Sequence, residues 1–154
     1  MWNRNRSVVL SIVICAILSV LLATLIFCGP WLFCRYLTEW RSMEDLATLK
    51  GLITVFCLCF YPSAVFACIA LYSLIRMLGN IKRGMIFIPK NVAYLRRLAW
   101  CCFAVAAITL TGGVFYLPFL FIAAAAGFMG VILRVLKNVI QTAVELREEN
   151  DLTI

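Results

Sequence analysis

The sequence predicts an all-α polytopic membrane protein, a single domain over residues 1–154 built as a four-transmembrane-helix bundle. Both termini are expected on the cytoplasmic side, with the fourth helix extended into the cytoplasm. Three observations predict this. The chain is 65% hydrophobic and 14% charged, more apolar surface than a soluble domain of this size can hide. Three runs carry no charge at all, Ser7 to Cys34, Gly51 to Ile75 and Leu98 to Leu133, each longer than the roughly 20 residues that cross about 30 Å of hydrocarbon. The basic residues are unevenly spread, with six of the fourteen Lys and Arg packed between Arg76 and Arg97.

The first span is expected over about residues 7–28. Arg4 and Arg6 before an apolar run invite a secretory-leader reading, but the run is too long and no A-x-A-like site closes it, so it reads as a retained membrane helix. Gly29-Pro30 is expected to end the helix, because proline breaks the backbone hydrogen-bond ladder. Trp31, Tyr36 and Trp40 follow and suit the outer interface. Ser42 to Asp45 has the spacing of a capping box, from which a helix leads into the second span over residues 51–75. Pro62 is expected to bend that span.

Residues 76–97 form the inner loop, a hairpin between two helices. Gly84 is a stop signal, Pro89 keeps Ile88 extended, and Asn91 is expected to cap a helix that starts at Val92. The uncharged run from Leu98 to Leu133 is thirty-six residues long, too long for one span, and Gly112-Gly113 with Pro118 divides it. The third and fourth spans are therefore placed at about residues 92–111 and 118–137. Ala123 with Gly127, and Ala126 with Gly130, are small-xxx-small pairs that let a neighbouring helix approach, within this chain or in a homo-oligomer. Past Leu133, one stripe of Val135, Leu136, Val139, Ile140, Ala143 and Val144 predicts that the helix runs on into water, into a tail over residues 138–154. The acidic end of the tail is expected to meet the basic loop.

Orientation follows from charge. Eleven Lys and Arg lie at the N-terminus, in the central loop or in the tail, while the other side has Arg35, Arg41 and Lys50; basic residues are retained on the cytoplasmic face. The net charge of +7 is thereby explained by the lipid bilayer and its anionic headgroups, and no nucleic-acid motif accompanies it, so direct nucleic-acid binding is not expected.

Chemistry-bearing patterns are missing from the sequence. Seven of the eight cysteines, Cys15, Cys28, Cys57, Cys59, Cys68, Cys101 and Cys102, lie in apolar runs without a C-x-x-C pair, Cys34 lies near the outer boundary, and histidine is absent. A metal or cofactor site lacks its usual ligands, and no nucleophile and base pair can be assembled, so catalytic, metal and cofactor residues are all assigned as none and an enzyme is not expected. The spans carry only Ser and Thr as clear polar groups, against the ionisable residues of proton and ion pathways.

The loop reads L-x-x-I-x-x-G-x-x-F from Leu78 to Phe87 and N-V-x-x-L-R-R from Asn91 to Arg97, and the chain ends E-L-x-E-E-N-D-L-T-I from Glu145. In these motifs it resembles the YoaS-like family of small four-helix bacterial membrane proteins, the domain of unknown function DUF2975. The resemblance implies a multi-pass protein of the bacterial cell membrane and, as a partner, a small cytoplasmic helix-turn-helix regulator; it carries no activity. The leading functional expectation is a membrane-anchored interaction protein, with Lys82, Arg83, Gly84, Phe87, Asn91, Arg96, Arg97, Glu148, Glu149, Asn150 and Asp151 as the docking surface. The alternative is a small oligomeric transporter or channel for neutral or apolar compounds.

Overall fold

The computed structural model describes residues 4–40 and 46–151, so the expected capping box at Ser42 to Asp45 lies outside the described residues. Every regular element among the described residues is a helix: α1 (Arg4–Arg35), a π-helical turn (Tyr36–Trp40), α2 (Leu46–Lys82), α3 (Pro89–Gly113) and α4 (Pro118–Asp151). All four α-helices are long and apolar enough to cross a membrane, and the chain is a multi-pass membrane protein.

The helices pack in chain order and antiparallel, α1 on α2, α2 on α3 and α3 on α4, with no comparable approach of α1 to α4 among the described residues. The expected bundle is therefore an open row, with α2 and α3 inside and α1 and α4 at its flanks. Consistent with that position, α1 turns large apolar side chains outward, Ile17, Val20 and Phe27 among them. Lipid tails solvate such a surface as well as another helix does, so nothing drives the row to close.

Close packing comes from glycine. A Cβ on Gly130 would stand 2.9 Å from the Phe103 ring, and one on Gly112 only 2.7 Å from Cys59 Sγ and 3.2 Å from the Phe119 ring. Gly112 is thus the point where α2, α3 and α4 meet. The small residues of α4 face α3 within this chain: Gly127 lies opposite Ala106, and Ala123 is buried. Polar groups in the spans bond back to their own helix, Ser73 Oγ to the Ile69 carbonyl at 2.9 Å and Thr109 Oγ1 to the Val105 carbonyl at 2.8 Å, which keeps donors satisfied without a partner helix. Ser63 Oγ, beside Pro62, is the buried exception without a partner among the described residues.

Three expectations are corrected. The helix does not stop at Gly29-Pro30 but runs through to Arg35. Gly29 seats the Phe60 ring, with 3.1 Å from its virtual Cβ to Phe60 Cζ, and one turn on Phe33 stacks on Phe56 with centroids 4.1 Å apart. Packing on both sides of the proline offsets the single backbone bond that it removes. The third helix starts at Pro89 rather than Val92, with Ile88 extended at φ −129° and ψ 145°; proline is pre-set for the first helical position, which leaves Asn91 inside the helix and not at its cap. The predicted stripe on the last turns of α4 is only half kept. Val144 is buried and Ile140 and Ala143 are half-buried, but Val135, Leu136 and Val139 are exposed, and Lys137 and Gln141 share the half-buried face.

Candidate functional site

The α2–α3 hairpin is held by a small set of hydrogen bonds. Gly84 has φ 80°, the left-handed conformation in which side chains are strained. It lets the Gly84 amide reach the Ile81 carbonyl and the Met85 amide reach the Asn80 carbonyl, both at 3.0 Å, which closes the end of α2 with paired reverse bonds. Beneath the turn Asn91 is 2% exposed. Its Nδ2 donates to the carbonyls of Met85 at 2.9 Å and Ile86 at 2.8 Å, and its Oδ1 accepts from Asn80 Nδ2 at 2.9 Å. Two loop carbonyls that have no helix to join are thereby satisfied from below. Asn91 acts from within the hairpin rather than on its surface.

The rest of the hairpin is outward. Lys82, Arg83, Gly84, Met85 and Phe87 are exposed, so two cations and two large apolar side chains stand together on one short turn. Arg97 places its guanidinium 6.0 Å from the Tyr94 ring, and Arg76 lies 5.6 Å from the Tyr72 ring while donating to its hydroxyl at 3.1 Å. Since Asn80 pairs with Asn91, residues four steps along each helix, Arg76 and Leu95, share one depth. A belt of Arg and Tyr therefore crosses α2 and α3 where their apolar segments end, as at a membrane boundary.

The end of α4 runs beside the start of α3. Pro89, Val92, Ala93 and Arg96 on one side and Gln141, Val144, Glu145 and Glu148 on the other line a cleft of about 300 Å³. Its floor is apolar, its walls carry a cation from α3 and two carboxylates from α4. Gln141 Nε2 donates to Glu145 Oε1 at 2.9 Å, which orients that carboxylate along the cleft. Of the residues singled out in the sequence, the structure brings Arg96 and Glu148 to this cleft. Lys82, Arg83, Gly84 and Phe87 stand on the adjoining turn, Arg97 lies outside the cleft, Glu149 is exposed, and Asn150 and Asp151 are described only as helical backbone. Within the described residues α4 continues as helix to Asp151, and the acidic end approaches the basic segment where Glu145 and Glu148 share the cleft with Pro89 and Arg96. Sequence reasoning passed over Pro89, Val92, Ala93, Gln141 and Val144. Their signal was the helical spacing of residues 89, 92, 93 and 96 against 141, 144, 145 and 148, which needs the register between α3 and α4 to be read.

The family described as Protein of unknown function (DUF2975) matches residues 40–154. The chain belongs to this family. The DUF2975 match takes in α2, α3, α4, the hairpin and the cleft, while α1 lies outside it. No curated protein and no solved structure matches the chain.

Proposed function

We propose that this DUF2975 protein is a membrane anchor that docks a cytoplasmic protein on the surface made by the α2–α3 hairpin and the end of α4. The observation that carries the reading is the cleft between α3 and α4, with Arg96 facing Glu145 and Glu148 over Val92 and Val144. An apolar floor with charges of both signs at its rim is how specific protein contacts are built: apolar burial supplies affinity and the charges supply register. Beside it, Met85 and Phe87 are 40% and 44% exposed on the hairpin, on a turn whose backbone is held fixed from below. A rigid turn that presents apolar side chains binds at low entropic cost.

The uneven distribution of Lys and Arg supports placing this surface on the cytoplasmic side, with both termini there as well. The resemblance to small bacterial membrane proteins supports a location in the bacterial cell membrane and a helix-turn-helix regulator as the docked protein. Holding such a regulator at the membrane would keep it from its DNA, so occupancy of the cleft would set the amount of free regulator.

A photo-crosslinking residue placed at Glu148 or Phe87 in native membranes tests the reading, with Phe121, exposed within the apolar part of α4, as the control position. The regulator is expected in adducts from the first two positions and not from Phe121. Adducts with lipid alone at all three positions would remove the docking role.

A further inference from the structure

We propose that a second, smaller cavity between α3 and α4 binds the phosphate of an anionic phospholipid. The cavity measures about 160 Å³ and is lined by Arg96 and Trp100 from α3 and by Arg134, Lys137 and Asn138 from α4, with Phe103 on its wall. Three cations converge on it and no carboxylate lines it. Lys137 Nζ donates to Asn138 Oδ1 at 3.1 Å, while Arg96 and Arg134 have no hydrogen-bond or ion-pair partner among the described residues. Like charges gathered around one cavity repel unless an anion joins them. Two guanidinium forks and one ammonium suit the tetrahedral oxygens of a phosphate, with bidentate contacts from the arginines and a point charge from the lysine.

The surroundings select a lipid as the source of that phosphate. On α4 the cavity residues alternate with Val135 and Val139, which are 58% and 61% exposed, so the same turns present cations inward and apolar side chains outward. Trp100 is 64% exposed at the cavity mouth, where an indole suits the headgroup zone. A ligand seated here has its charge among the cations and an apolar body along Trp100 and Phe103, which are in edge contact with centroids 6.3 Å apart. Basic pockets between membrane helices bind anionic headgroups for this reason. A zwitterionic headgroup would bring its own ammonium against three cations and is disfavoured.

Arg96 also borders the larger cleft, so the test uses only the two α4 cations and is independent of the docking reading. The full chain, purified in a neutral detergent, is titrated with phosphatidylglycerol, phosphatidylcholine and inorganic phosphate, and bound ligand is counted by native mass spectrometry. Tenfold or greater preference for phosphatidylglycerol over phosphatidylcholine is expected, together with tenfold or greater loss in the Arg134→Gln, Lys137→Gln double variant. The charge-preserving pair Arg134→Lys, Lys137→Arg should keep most of the binding, which separates loss of charge from loss of fold. Equal retention of the two lipids, or undiminished phosphatidylglycerol binding by the neutral double variant, overturns the proposal. Full displacement of phosphatidylglycerol by millimolar inorganic phosphate overturns the lipid assignment in favour of a free-phosphate site.

Discussion

Asn80 donates its side-chain amide to Asn91 Oδ1 at 2.9 Å, joining the last turn of α2 to the first turn of α3 through two residues eleven positions apart. Asn91 in turn holds the Met85 and Ile86 carbonyls, so one buried amide fixes the whole hairpin. A neutral hydrogen bond contributes about 0.5–1.5 kcal/mol net. Asn91→Ala, which removes three, should destabilise the protein by about 1–3 kcal/mol and Asn80→Ala, which removes one, by about 1 kcal/mol. Thermal unfolding in detergent, with protease cleavage between Lys82 and Lys90 as a second readout, checks the order of the two. Indistinguishable stabilities would mean that the clasp carries no weight.

The glycines of the α3–α4 seam should differ sharply among themselves. A Cβ at Gly112 meets Cys59 Sγ at 2.7 Å, whereas one at Gly127 meets only Ala106 Cβ at 3.9 Å. Gly112→Ala is therefore expected to lose about 1–3 kcal/mol through overpacking. Gly127→Ala is expected to be neutral or slightly stabilising, since alanine favours the helix. Melting temperatures of the two variants in one detergent decide the matter.

Much of this architecture can be read from residues alone, and what cannot has one physical origin. Charge is a local signal, so the hairpin between Arg76 and Arg97 and the division of the last apolar run at Gly112-Gly113 and Pro118 stand in the sequence as they stand in the structure. Pro30 misleads because what carries the helix past it, Phe60 on Gly29 and Phe56 on Phe33, arrives from another helix. Asn91 has the look of a cap, and only the fold brings Asn80 to its Oδ1. The same limit hides the cleft and the basic cavity. Arg96, Arg134 and Lys137 are visible as charges, but their convergence depends on the register of α3 against α4, which no single-helix pattern encodes.

Topology is tested by reporter fusions. A reporter that folds only in the cytoplasm should be active when fused after Ile154 and inactive when fused after Lys50, because the segment around Lys50 carries few of the basic residues. The opposite pattern would reverse the orientation, and equal signals would change the number of spans between the two positions.

Charge reversal at the rim of the larger cleft bears on docking. Glu145→Lys with Glu148→Lys should weaken regulator capture at least tenfold while leaving the melting temperature nearly unchanged, since both residues are exposed and surface charges contribute about 0–1 kcal/mol to stability. Crosslinking yield from position 87 in that background is the measurement. An unchanged yield would mean that the α4 end takes no part in docking.

The two hairpins of the row differ in how much hydrocarbon they match. The uncharged part of α2, Gly51 to Ile75, spans twenty-five residues, while α3 from Leu98 to Gly113 and α4 from Pro118 to Leu133 offer sixteen each. At 1.5 Å per residue these are about 37 Å and about 24 Å, one above and the other below the thickness of an average bilayer core. Each mismatch costs fractions of a kcal/mol per ångström and is relieved by tilt on the long side and by thinning of the lipid on the short side. Bilayer thickness therefore acts as a mechanical input. A thicker membrane lets the long α1–α2 hairpin stand more upright and draws the short hairpin's polar ends toward the hydrocarbon, and because α2 and α3 are tied at Asn80 and Asn91, that strain falls on the hairpin turn and on the end of α4 beside it.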